Sequence, residues 1–124
     1  EVTIASAYFP NPSTSCPPKE LERLLQSCRD RGSALILSCD CNAHHTYWGS
    51  TNTNKRGEEL LQFMFSNDLV LENRGSSQTF ITRNRKEVLD ITLSTGLKNI
   101  NIVRWHVSKE ASLSDHCPIR FDIE

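Results

Sequence analysis

The stretch Leu35-Ile36-Leu37-Ser38-Cys39-Asp40-Cys41-Asn42-Ala43-His44-His45 constrains the fold more than any other part of the chain. An apolar run that ends abruptly in Asp-x-Asn-x-His describes a buried strand delivering polar groups at its C-terminal end. That is where α/β proteins collect catalytic side chains. A second polar triplet, Ser114-Asp115-His116, stands just before the alternating strand Ile119-Arg120-Phe121-Asp122-Ile123. Two strand-edge clusters of Asp, Asn and His have the chemistry to handle a phosphate and a divalent metal.

Around these clusters the punctuation is regular. Val2 to Tyr8 is strand-like, and Pro10-Asn11-Pro12 breaks it into a loop. Pro17-Pro18 opens a helix whose Leu21, Leu24, Leu25 and Cys28 recur at helical spacing, and Gly32 ends it. Ala34 to Leu37 forms the central strand, followed by a loop from Asn42 to Asn54. A second helix runs from about Gly57 to Ser66 with Leu60, Leu61 and Met64 inward, and Leu69-Val70-Leu71 is a short strand. Thr79 to Thr82 and Val88 to Leu93 predict a hairpin joined by the polar turn Arg83-Asn84-Arg85-Lys86. Ile100 to Val107 and Ile119 to Ile123 complete the set. Helices come early and strands dominate late, which predicts a layered α/β (α+β) domain rather than strict βαβ winding.

With 124 residues the chain is one domain or a piece of one. Its formal charge of -1 exerts no global pull on nucleic acid, so any such attraction must come from a local patch. No stretch approaches the ~20 apolar residues of a membrane span, and no segment resembles a signal peptide. A membrane partner is therefore not expected. The cysteine count of 5 is odd, and Cys39 and Cys41 alternate at a strand end where a mutual disulfide is geometrically awkward. An intracellular reducing compartment is the expectation. Met64 is the only methionine and the chain opens in mid-strand, so it is expected to be part of a longer polypeptide.

Asp40 and Asn42 lie two apart in an extended segment and share a face, so a carboxylate beside a neutral amide can position a water and a phosphate oxygen together. Asp90 is a carboxylate inside the otherwise apolar Val88 to Leu93 strand. Burying it is costly without a partner, and His116 would serve. Asp115, beside His116, is a potential metal ligand. Taken singly, Asp40-x-Asn42 reads as a strand ending in an Asx-turn. Its coincidence with Asp90 and Ser114-Asp115-His116 favours catalysis. The loop residues His44 and His45 read as solvated or locally hydrogen-bonded, and Trp48 and Trp105 as packing residues. A zinc site built from Cys39, Cys41, His44 and His45 has the right residue types. It lacks separated ligand pairs, however, and if Asp40 faces the site the two cysteines point away from it.

Tyr8-x-Pro10, Asp40-x-Asn42-x-His44, Asn54-x-Arg56-Gly57, Thr79-Phe80, Leu89-Asp90 and Ser114-Asp115-His116 stand in an order and spacing that resemble the endonuclease/exonuclease/phosphatase superfamily. This is the fold of DNase I and the apurinic/apyrimidinic endonucleases. The run from Asn42 to Gly49, Asn-Ala-His-His-x-x-Trp-Gly, is similar to the endonuclease domain of jockey-type non-LTR retrotransposons. The resemblance implies a sandwich of two mainly antiparallel sheets flanked by helices, and a magnesium-dependent DNA-nicking enzyme with Mn2+ as a substitute metal. It implies that Asp40 orients or deprotonates the attacking water and that Asn42 holds water and phosphate. It further implies that His116 binds the scissile phosphate with its ring fixed by Asp90, that Asp115 ligates the metal, and that the Tyr8 hydroxyl touches the phosphate. Arg83, Arg85 and Lys86 fall where the family has a DNA-touching hairpin, although such a run is ordinarily a solvated turn.

Two departures stand out. Cys39 and Cys41 flank Asp40 where the family has Gly and Phe, and the family's upstream metal-binding Glu and phosphate-binding Asn have no counterpart in the seven residues before Tyr8. The chain is expected to be the C-terminal portion (residues 1 to 124) of a single such domain, cleaving DNA weakly or not at all alone. The implied partners are DNA and a fused reverse transcriptase domain, and the implied location of the parent protein is nuclear. A non-catalytic DNA- or partner-binding module, and a phosphatase or other phosphodiesterase on the same fold, are the alternatives.

Overall fold

The computed structural model describes residues 1–10, 15–96 and 98–124. The expected loop at Asn11 and Pro12 lies outside them. In chain order the elements are β1 (Val2–Tyr8), α1 (Lys19–Asp30), β2 (Ala34–Asp40), a 3-10 turn (Thr46–Trp48), α2 (Lys55–Ser66), β3 (Leu69–Leu71), β4 (Phe80–Ile81), β5 (Lys86–Glu87), β6 (Asp90–Thr95), β7 (Ile102–Val107) and β8 (Ile119–Ile123). A mixed central sheet has the order β1-β2-β6-β3, with β1 and β2 parallel and the other pairs antiparallel. A parallel neighbour needs a crossover, and α1 supplies it.

α1 forms because Pro18 precedes it in extended backbone, Glu20 and Glu22 occupy its first turn, Arg29 its last, and Leu21, Leu25 and Cys28 make one buried stripe. α2 starts at Asn54, whose side chain accepts from the Gly57 N–H at 2.8 Å. The first turn of α2 presses on the preceding loop so closely that a Cβ on Gly57 would lie 1.8 Å from the His44 carbonyl oxygen. Both helices cover one face of the central sheet, where Leu25, Leu35, Leu37, Ile91, Leu60 and Met64 belong to a single buried cluster.

The alternate residues of the same strands, Ser38 and Asp40 on β2 and Asp90, Thr92 and Ser94 on β6, form the opposite face. A two-stranded sheet of β7 and β8 packs there, tied on by Trp105, whose indole N–H donates to Thr92 Oγ1 at 3.0 Å. The result is the expected layered α/β arrangement of sheets and helices.

The predicted hairpin is different. β4 pairs with β5, not with Val88 to Leu93, and the turn spans Thr82 to Arg85, leaving Lys86 inside β5. Val88 and Leu89 are buried between the two pairings, and β6 crosses into the central sheet between β2 and β3. Its burial on both faces accounts for this, since such a strand is stable only in the interior of a sheet. Smaller differences are that β2 continues to Asp40, α2 begins at Lys55, and β7 begins at Ile102.

Candidate active site

Asp40 and Asp90 face each other as register partners at the end of the β2–β6 ladder. The third group arrives from the far end of the sequence. Cys117 N–H donates to the Thr79 carbonyl at 2.7 Å, and Ile81 N–H donates to the Asp115 carbonyl at 2.8 Å. The segment before β8 therefore meets β4 in a single antiparallel bridge, Phe80 opposite His116, and delivers the imidazole of His116. His116 Nδ1 lies 2.9 and 3.1 Å from the two carboxylate oxygens of Asp90, and Nε2 lies 3.5 Å from Asp40 Oδ2. Phe80 holds the same ring edge-on with centroids 5.1 Å apart. Asp40, Asp90 and His116 each offer a ligand atom within 4.8 Å of the others, a group that could hold a metal ion.

Each member is secured by backbone chemistry. The fully buried Thr79 hydroxyl accepts from the N–H groups of Leu89 (2.9 Å) and Asp90 (3.0 Å) where the chain leaves β5 for β6. Asn73 flanks β6 on its outer side, accepting from Thr92 N–H and donating to the Asp90 carbonyl. Asn42 sits in the left-handed region at φ 46, which Asn tolerates, and its N–H donates to Asp40 Oδ1 at 3.2 Å. The Asx-turn and the site are thus the same structure. The Asn42 side-chain amide donates to the Phe9 carbonyl at 2.9 Å. Arg56, from the first turn of α2, donates to the carbonyls of Asn42 and Pro10 and joins three segments at this corner.

Burial pushes the Asp40 carboxyl above its ordinary range, and the Asp90 charge adds to the effect; the Asn42 N–H and His116 oppose it. A small cleft of about 210 Å³, lined by Ser6, Ser38, Asp40, Asp90 and Ile119, opens at this group. A larger cavity of about 480 Å³, lined by Phe9, Leu21 and Leu24 among others, lies beside β1 and is apolar.

The structure thus brings together Asp40, Asn42, Asp90 and His116. Tyr8 ends β1 in register with Asp40 and is 63% exposed. Asp115 is exposed on the turn before His116 and is not a member of the three-residue group. Arg83, Arg85 and Lys86 are all exposed on the β4–β5 hairpin. All 5 cysteines are free. Cys39 and Cys41 point into the core on the face opposite Asp40, where burial pushes both thiols up, and neither belongs to the group that could hold a metal ion. His45 accepts from Tyr47 N–H and caps the 3-10 turn. Sequence reading missed Thr79 as an organiser, Asn73, and the buried Glu87. Thr79 and Arg56 stood inside recognised motifs, whereas an acid on a two-residue strand gives no local signal.

The sequence model of the Endonuclease-reverse transcriptase family matches residues 2–120. The chain belongs to that family. Among solved structures, the endonuclease domain of TRAS1, a telomere-specific non-LTR retrotransposon, is similar at a TM-score of 0.77 and 30% identity. The match covers 94% of this chain and 54% of that one, so the chain spans about half the length of that domain. No curated protein matches. Among the described residues, no helix is long and apolar enough to cross a membrane.

Proposed function

We propose that this protein is a magnesium-dependent DNA endonuclease that nicks target DNA for a non-LTR retrotransposon. The observation that carries the reading is the Asp90–His116–Asp40 constellation at the edge of the cleft, in a chain of this family. In this scheme ionised Asp40 takes the proton of the attacking water, while the Asn42 side chain, through Oδ1, helps to hold that water. Asp90 accepts from His116 Nδ1 and fixes the ring, so that Nε2–H can donate to a non-bridging phosphate oxygen. The Tyr8 hydroxyl, one strand away, supplies a further phosphate contact. Arg83, Arg85 and Lys86 meet the DNA backbone from the hairpin.

Two carboxylates held face to face fit a hard divalent cation, which prefers oxygen donors and relieves their repulsion. Asp115 would be an oxygen ligand and Asp40 would share one of its oxygens with the ion, while both Asp90 oxygens stay on the His116 ring. When bound, magnesium, or manganese in its place, supplies Lewis-acid stabilisation of phosphate charge. The freed 3′ hydroxyl would prime a reverse transcriptase fused in the same polyprotein, acting on chromosomal DNA in the nucleus.

A plasmid-nicking assay with magnesium on the full endonuclease domain that contains this chain tests the proposal. Asp40→Ala and His116→Ala are each expected to lower the rate by roughly a thousandfold, and Asp115→Asn to raise the magnesium concentration needed. A correctly folded wild type that leaves DNA intact but hydrolyses a phosphomonoester would overturn it in favour of a phosphatase.

A further inference from the structure

His44 takes no part in the chemistry above, yet its ring is fully engaged. Nδ1 lies 2.6 Å from Asn52 Oδ1 and 3.6 Å from Glu87 Oε2, while Nε2 lies 2.8 Å from a guanidinium nitrogen of Arg85. A guanidinium only donates, so Nε2 must be the bare, accepting nitrogen, and Nδ1 carries the proton toward Asn52 and Glu87. The imidazole is neutral in this arrangement. Behind it, Glu87 is itself anchored, accepting from Thr51 N–H, Thr51 Oγ1–H and Val88 N–H at 2.9, 2.6 and 3.0 Å. On its other side the Arg85 guanidinium lies over the Phe80 ring, 5.4 Å from the centroid, and the same Phe80 packs on His116. Arg85 is therefore an exposed cation whose side chain is held at two points, one aromatic ring away from the active-site histidine.

We propose that His44 is a positioning residue: it clamps Arg85 as a preformed phosphate contact beside the scissile site and releases it when the imidazole takes up a proton. The proposal rests on the DNA-endonuclease reading. A long side chain already held in place has less rotamer entropy to lose when a phosphate binds. Protonation would put an N–H on Nε2, setting donor against donor and cation against cation. The charged groups facing the ring are Glu87, which favours the imidazolium, and Arg85, which disfavours it; Asn52 is neutral. Glutamine reaches the position of Nε2 with a carbonyl oxygen that does not titrate, so His44→Gln retains the clamp and removes the switch.

The test is the affinity of the protein for a short fluorescent DNA duplex in metal-free buffer, across salt and pH, with melting curves as the folding control. At pH 8, Arg85→Ala is expected to bind about tenfold more weakly and to lower the salt slope by about one. His44→Ala is expected to bind a few-fold more weakly than wild type at an unchanged salt slope, since the Arg85 charge remains, and the double variant is no weaker than Arg85→Ala. His44→Gln stays near wild type at pH 8, and the ratio of its affinity to that of wild type rises as pH falls. Weak binding by Arg85→Ala combined with normal binding by folded His44→Ala, or a full extra loss in the double variant, overturns the clamp and leaves the DNA reading standing. A wild type that binds no duplex overturns both.

Discussion

At the scale of the residue, Asp40 is held in a state that favours function over stability. Burial first, and the Asp90 charge second, raise its folded carboxyl above the ordinary range. The folded protein therefore binds that proton more tightly than the unfolded chain. The carboxyl's contribution to stability grows as pH falls through its folded range, and at neutral pH the ionised group is a net cost. Asp40→Asn removes the cost while leaving an acceptor for the Asn42 N–H. Its expected outcome is a higher Tm at pH 7 together with loss of the proposed nicking, and a lower Tm would contradict this account of the site. Glu87 is the opposite case. Burial raises its carboxyl, but donation by the Thr51 side chain, the Val88 N–H and the Thr51 N–H outweighs burial, and the net direction is down. Its stabilisation is present above the ordinary carboxylate range and disappears as pH falls through the depressed folded value.

At the scale of the element, two short segments fix where the functional side chains go. The start of α2 is wedged under the His44 carbonyl. Gly57→Ala should cost about 3 kcal/mol despite the better helix propensity of alanine, because the atom it meets is backbone and cannot rotate away. Chemical denaturation would measure it, and a neutral or stabilising result would show that the helix can shift. Strand β5 is bound through Glu87 to the loop at Thr51. Glu87→Ala strands two N–H groups, those of Thr51 and Val88, and should cost roughly 3 kcal/mol. The loss should be smaller in acid, where the wild-type carboxylate is itself neutralised. Because the same hairpin carries Phe80 in β4 and Arg85 in its turn, this variant should also weaken the proposed DNA binding.

At the scale of the molecule, the site exists only because the layers come together. Asp40 and Asp90 belong to the central sheet, His116 to the segment before the second sheet, and Trp105 bonds one sheet to the other through Thr92. Trp105→Phe removes that bond while the Thr92 hydroxyl keeps Ser38 Oγ at 3.3 Å, so the loss should be modest, about 1 kcal/mol. It should appear as a lower urea midpoint at unchanged m-value. The sequence by itself determined most elements and the four polar residues of the centre. Alternation along β2 told which face Asp40 shares, and an acid in an apolar strand demanded a partner such as His116. What only the tertiary structure decided was where Val88 to Leu93 pairs, and with it the ring of Thr79, Glu87, His44 and Arg85. Local pattern favours the neighbour nearest along the chain. Burying Ile91 and Leu93 on one face and Thr92 and Ser94 on the other rewards a place between β2 and β3, and that burial is available only once the distant strands have assembled.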